Sequence, residues 1–206
     1  MQSAKELFTH ELTDMLDAEQ KLVEALGQLA EDHSEEPQLQ KAFQSHQAQT
    51  EKQVERIRQV FEELDEEPEE TECKGMRGLI EERDSFKQQE DPAGDILAVF
   101  DIGAAIKVES YEISAYNSLI ELAEQLDLNK AVKLLNQSLK EEEQTRTKLE
   151  GLSRKMKPDN LGLEEAEEEV EEMELDGEEM ELEGEEESPA RRRPSSQKKG
   201  RSRRIA

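Results

Sequence analysis

The chain carries one cysteine, Cys73, and no tryptophan. A single thiol excludes an internal disulfide framework and a cysteine-based zinc site, and it fits a reducing, cytoplasmic compartment. Histidine numbers only three, so any metal site must be built mainly from oxygen. No run of 18 apolar residues occurs, which leaves no membrane span to expect. The opening MQSAKELFTHELTDML lacks a basic stretch followed by an apolar one, so no secretion signal is expected. A glycine-rich phosphate loop, a paired CxxC and a serine elbow are also missing.

Apolar residues make up 33% of the chain, and they are unevenly spread. Residues 1–158 hold nearly all of them in long periodic runs, and about 150 residues suffice to bury one core. Charge is uneven too. Residues 159–188 contain 17 acidic and no basic side chains, whereas 189–206 contain 8 basic and no acidic ones. The first 158 residues carry 36 acidic and 19 basic groups, a surface that repels nucleic acid. The sequence therefore divides into a folded domain, 1–158, and a tail, 159–206. The tail has too little apolar content for a core and is expected to be disordered. Its basic end, 191–204, is the only part suited to phosphate contact. The competing reading has that end folding back onto the acidic segment or the acidic bundle.

Five segments read as helical and none as a strand. Helix A runs over about 3–33, with Leu12, Leu16, Leu22, Leu26 and Leu29 at spacings of three and four. HSEEP interrupts it, with Ser34 as a cap and Pro37 in the first turn of helix B, which continues to about 65. A polar connection follows, containing the short amphipathic piece MRGLIEERDSFKQQ. Asp91-Pro92 opens helix C, which reaches about 126, and helix D spans about 129–156. Short A–B and C–D links imply antiparallel hairpins. The B–C link of about 26 residues can run the length of helices roughly 45 Å long. The fold expected is all-α: a four-helix bundle with one long crossover carrying a short fifth helix.

The hairpins resemble each other. A shift of 93 lays residues 17–31 over 110–124, pairing Glu19 with Glu112 and Leu26 with Leu119. A shift of 92 lays helix B over helix D, pairing Phe43 with Leu135, His46 with Ser138 and Thr50 with Glu142. Each helix interrupts its apolar stripe near the midpoint, with Glu19, with His46 and Thr50, with Glu112, and with Ser138 and Glu142. Midpoints at one level would bring Glu19, Thr50, Glu112 and Glu142 together inside the bundle. Glu109 and Gln53 lie one turn away, and Glu143 adjoins Glu142. Buried carboxylates cost several kcal/mol each unless compensated. They take up protons, or they share a cation, and oxygen-rich ligands favour manganese, iron(II), magnesium or calcium. Tyr111 and Tyr116 flank the helix C stripe as packing residues with bonded hydroxyls. His10 and His33, near the ends of helix A, read as surface or satisfied residues.

The segments ELTDMLDAEQKLVEAL, FQSHQAQTEKQVERIRQVFEEL, KGMRGLIEE and KVESYEISAYNSLIELAEQL resemble the YciF-like branch of the ferritin-like superfamily, over residues 3–156. That resemblance implies a ferritin-like bundle, a homodimer and a role in bacterial stress. The superfamily builds di-iron sites from one Glu on each of two helices and a Glu-x-x-His motif on each of the others. By position, Glu19 and Glu112 match the single glutamates and Glu142 the Glu of one motif. Thr145 replaces its histidine, and Thr50 and Gln53 replace the other motif. The expectation is a stress-response protein holding iron or manganese through Glu19, Glu112 and Glu142, with Glu109, Glu143 and His46 completing the site. The alternative is a metal-free structural or partner-binding bundle, its basic tail contacting nucleic acid.

Overall fold

A computed structural model describes residues 1–156; the acidic and basic segments of the tail, with the expectations attached to them, lie outside the described residues. Among the described residues five helices form in the expected order: α1 (Ala4–Asp32), α2 (Pro37–Leu64), α3 (Lys74–Glu90), α4 (Gly94–Gln125) and α5 (Asn129–Ser153). Among the described residues there is no strand.

Local chemistry sets the helix ends. Ser3 caps α1 by accepting from the Glu6 backbone N–H at 3.1 Å, and Glu6 reaches back to Gln2 N–H. This reciprocal arrangement satisfies donors that the first turn leaves free. Cys73 caps α3 through its sulfur, which accepts from Met76 N–H at 3.5 Å. Three aspartates at helix ends, Asp65, Asp91 and Asp127, adopt left-handed backbone with φ of 55°, 45° and 58°. Glycine usually takes this position, and aspartate is among the few residues that tolerate it. Ser34 is not the α2 cap. Glu36 holds that position without a side-chain bond, and Pro37 occupies the first turn with its fixed φ.

α1 pairs with α2 and α4 with α5, and these hairpins close into a bundle through α1 against α4 and α2 against α5. The crossover carries α3 across α1 and α4. The core holds Phe8, Leu12, Leu26, Phe43, Ile57, Tyr116, Leu119 and Leu135, each at most 1% exposed. At roughly 25 cal/mol per Å2, each such aliphatic or aromatic side chain contributes about 1.5–3 kcal/mol.

α3 is attached differently. Met76 and Arg83 are its buried residues, and Leu79 and Ile80 pack partly buried against the core. Arg83 forks onto Asp101 of α4, with Nε and Nη2 each 2.8 Å from a carboxylate oxygen, and Nη2 also reaches Asp32 of α1 at 2.7 Å. His33 meets the other side of Asp101 at 2.8 Å and Glu36 at 2.9 Å, and Lys87 bonds Asp32 at 2.6 Å. Bonding overcomes burial here: the Asp101 and Asp32 carboxyls are held below the usual carboxylate range, and the His33 imidazole is held above its usual value. At the start of α3, Asp17 accepts from Cys73 N–H at 2.8 Å, and Cys73 Sγ lies 3.0 Å from the Tyr111 hydroxyl. A Cβ on Gly75 would stand 2.7 Å from the Tyr111 ring, so only glycine lets the helix approach this closely.

Candidate metal centre

The bundle brings the helix midpoints to one level, because hairpins of nearly equal length pack side by side. Glu19 from α1, Thr50 and Gln53 from α2, Glu109 and Glu112 from α4, and Glu142 from α5 are all fully buried. His46 joins them at 6% exposure. One ligand atom each from His46, Glu109 and Glu142 falls within 4.8 Å of the others. Glu143, one position beyond Glu142 and so about 100° round the helix, faces solvent and does not enter the layer.

Part of the layer is bonded. The Tyr116 hydroxyl donates to Glu19, and the Gln53 amide donates to Glu142. Behind Glu142, Arg56 grips Glu141 through two bonds of 2.6 and 2.8 Å and reaches Ser138 at 3.2 Å. The rest is not bonded. Among the described residues, the buried side-chain atoms without a hydrogen-bond partner are Glu19 Oε2, His46 Nε2, Gln53 Oε1, both oxygens of Glu109, both of Glu112, and Glu142 Oε2. Every one belongs to this layer.

Electrostatics follows from that crowding. Burial, then the charge of Glu142, pushes the Glu109 carboxyl up to about 11. Burial and the surrounding acids raise Glu19 and Glu112 well above the carboxylate range. Glu142 reaches only about 7, because the neighbouring protonated Glu109, the nearby Arg56 charge and the Gln53 amide oppose its burial. Without a cation, Glu109 therefore carries a proton. Burial lowers His46 to about 4, with the charge of Lys148 adding to it. Its imidazole is neutral at pH 7. The 3.2 Å approach of His46 Nε2 to Glu109 is thus no ion pair, and its alignment makes no hydrogen bond.

The donor set fits a divalent cation. A neutral imidazole nitrogen and several carboxylate oxygens face one space, with lone pairs that no protein donor uses. Such nitrogen–oxygen mixtures suit manganese and iron(II). Glu109 and His46 were expected only to complete a site around Glu19, Glu112 and Glu142. The structure instead brings His46 and Glu109 into the tightest grouping, with Glu142. Glu19 lies close enough to Glu109, Glu112 and Glu142 for charge to raise the pKa values of all but the last. Tyr116 and Gln53 bond the acids directly, whereas the Arg56–Glu141 pair lies just behind Glu142.

Against this geometry, similarity to known proteins is informative. Residues 3–162 match a family described as a domain of unknown function, DUF892. Protein YciF of Escherichia coli (strain K12) is 40% identical over 154 residues, which are 74% of this chain and 92% of that protein. The crystal structure of the Escherichia coli stress protein YciF matches with a TM-score of 0.69 at 39% identity, covering 79% of this chain and 99% of that one. YcfI from Rhodopseudomonas palustris matches with the same TM-score at 35% identity, covering 73% of this chain and 94% of that one. A protein from Xanthomonas campestris pv. campestris, 14% identical, shares the fold with a TM-score of 0.60 over 74% of this chain and 92% of that one. The chain belongs to the DUF892 family of YciF-type proteins, with the ferritin-like helical fold.

Proposed function

We propose that this chain is a stress protein, like the YciF it resembles, that binds a divalent transition metal, iron(II) or manganese, inside the bundle. His46, Glu109 and Glu142 hold the ion, and Glu19 and Glu112 supply negative charge and a second position beside it. The observation that carries this reading is the concentration of partnerless buried lone pairs in a single layer. A bound cation satisfies them at once and removes the repulsion among four acids. When bound, such a metal supplies a redox-active or Lewis-acidic centre. The protein's own residues set its surroundings: Gln53 orients Glu142, Tyr116 orients Glu19, and Arg56 holds Glu141 away from the layer.

A specific observation supports a second reading, the metal-free bundle. Gln53 and Thr145 stand where the superfamily pattern has histidines, and a proton on Glu109 together with the Gln53 amide on Glu142 lowers the charge and satisfies part of the layer without an ion. Metal analysis of protein purified without chelator separates the two. The metal reading expects near-stoichiometric iron or manganese, lost in Glu142→Ala and His46→Ala; a wild-type protein without metal that also fails to bind added manganese overturns it. We also infer a homodimer through the start of α4. Ile96 is 37% exposed there, and Phe100 stacks half-buried on Phe86 with ring centroids 3.8 Å apart. Sedimentation of wild type against Ile96→Glu tests it, with a monomeric wild type as the contrary result.

A further inference from the structure

Beneath α3 lies an apolar cavity of about 80 Å3 that has no part in the acid layer except through one residue. Its walls are Leu22 and Leu26 of α1, Ile80 of α3, and Ala105 and Val108 of α4, and His46 of α2 also lines it. Well-packed interiors leave few voids larger than a water molecule. About 10–15 Å3 by this measure accommodates one water, so the space holds a small molecule. Gln28, Arg83 and Asp84 also line the space, but aliphatic side chains make up most of its wall, and water against them lacks the two to four polar partners it needs. Apolar cavities up to roughly 150 Å3 stay dry and take apolar guests such as xenon. Its lid is also secured: Arg83, on the cavity lining, is bonded to Asp101 and Asp32.

We propose that this cavity binds a small apolar molecule of the size and chemistry of dioxygen and holds it against His46, next to Glu109 and Glu142. The identity of the guest as dioxygen rests on the metal reading above; the apolar character of the site does not. His46 joins the two spaces because one imidazole both lines the cavity and contributes the nitrogen to the acid grouping.

Xenon is the probe for the site itself. Crystals of the full chain, metal-free and manganese-loaded, are pressurised with xenon, and 129Xe NMR titration provides the solution measurement. One xenon between α1, α3 and α4 is expected in both wild-type forms, and it disappears in Ala105→Leu. Ala25→Leu, filling the same space from α1, serves where the first variant folds poorly. No xenon in wild type, or undiminished xenon in the filled variants, overturns the site. For the guest, anaerobic iron(II)-loaded protein is mixed with dissolved dioxygen and iron(II) oxidation is followed. Oxidation in the filled variants is expected to slow by about tenfold or more at unchanged iron content. An unchanged rate overturns dioxygen as the guest. Protein that retains no metal overturns the metal reading and with it the dioxygen assignment, whereas the xenon result still decides the cavity.

Discussion

Replacing Glu109 by glutamine should stabilise the metal-free protein at pH 7 and leave it unchanged near pH 4. The Glu109 carboxyl is buried, faces the charge of Glu142 and is pushed from its ordinary 4.5 up to about 11. An acid whose folded value lies above its unfolded value favours the folded state fully below pH 4.5. That advantage is lost progressively as pH rises from 4.5 towards 11. Each pH unit in this window is worth 1.36 kcal/mol, so the loss at pH 7 is about 3 kcal/mol. The figure depends on the unfolded value alone, provided the folded value stays well above 7. Glutamine keeps the shape and can donate its amide to Glu142, but it does not titrate. For a domain of about 150 residues the gain corresponds to roughly 6–12 °C in Tm. Thermal unfolding by circular dichroism with chelator, from pH 4 to 8, measures it. A variant less stable than wild type at pH 7, or one whose advantage ignores pH, would refute the claim that Glu109 is a buried acid bearing a proton. Saturating manganese should reverse the order, because only wild type then supplies the full ligand set.

Metal binding should release at least one proton per ion at pH 7, from Glu109, with the partly protonated Glu142 and the raised Glu19 and Glu112 adding to the count. Calorimetry in buffers of different ionisation enthalpy counts them, and no buffer dependence counts against the assignment. Asp101→Asn should cost about 3–5 kcal/mol, because it leaves the buried Arg83 charge short of its principal partner; chemical denaturation reads this directly. His33, held above its usual value between Asp101 and Glu36, contributes stability that is full below pH 6.5 and lost as pH rises through its folded value. The stability difference between wild type and His33→Gln should therefore be larger at pH 6 than at pH 9, and an equal difference would remove the charged-imidazole account.

The helices and their order were legible because apolar spacing repeats over every one, and the core positions Phe43, Ile57, Leu119 and Leu135 fall on those stripes. The acid layer was legible for a related reason. Glu19, Glu112 and Glu142 occupy stripe positions, and a polar residue there has nowhere to go but inward. Glu143 was included only for its proximity in sequence, and helical geometry turns it outward. The prominence of Glu109 was harder to read, since it lies on the edge of the stripe and its burial depends on how α4 rotates against α2. Asp101, Arg83 and His33 gave little signal. Their network joins residues up to 68 positions apart, and the apolar face of α3, marked by Met76, Leu79 and Ile80, carries no sequence sign of which helices it meets. Ser34 has good capping chemistry, but the chain enters α2 two residues later through Pro37, whose ring already sets the backbone.

The two hairpins contribute unequally to the layer they share. Phe43 and Leu135, His46 and Ser138, Thr50 and Glu142, and Gln53 and Thr145 are counterparts by register, and all are buried. On the other hairpin members Leu16 faces Glu109 in the same sense, and Glu19 faces Glu112. One copy of the motif thus donates an acid where the other keeps a leucine or a hydroxyl. A cluster assembled from both copies releases each from the need to be complete. Mutational drift can move a ligand from one half to the other, provided the total charge in the chamber is kept. Variation among relatives should then appear as exchanges across the repeat, with a glutamate gained at position 50 or 16 where one is lost at 142 or 109, and surveys that score each position separately would mistake such exchanges for the loss of the site.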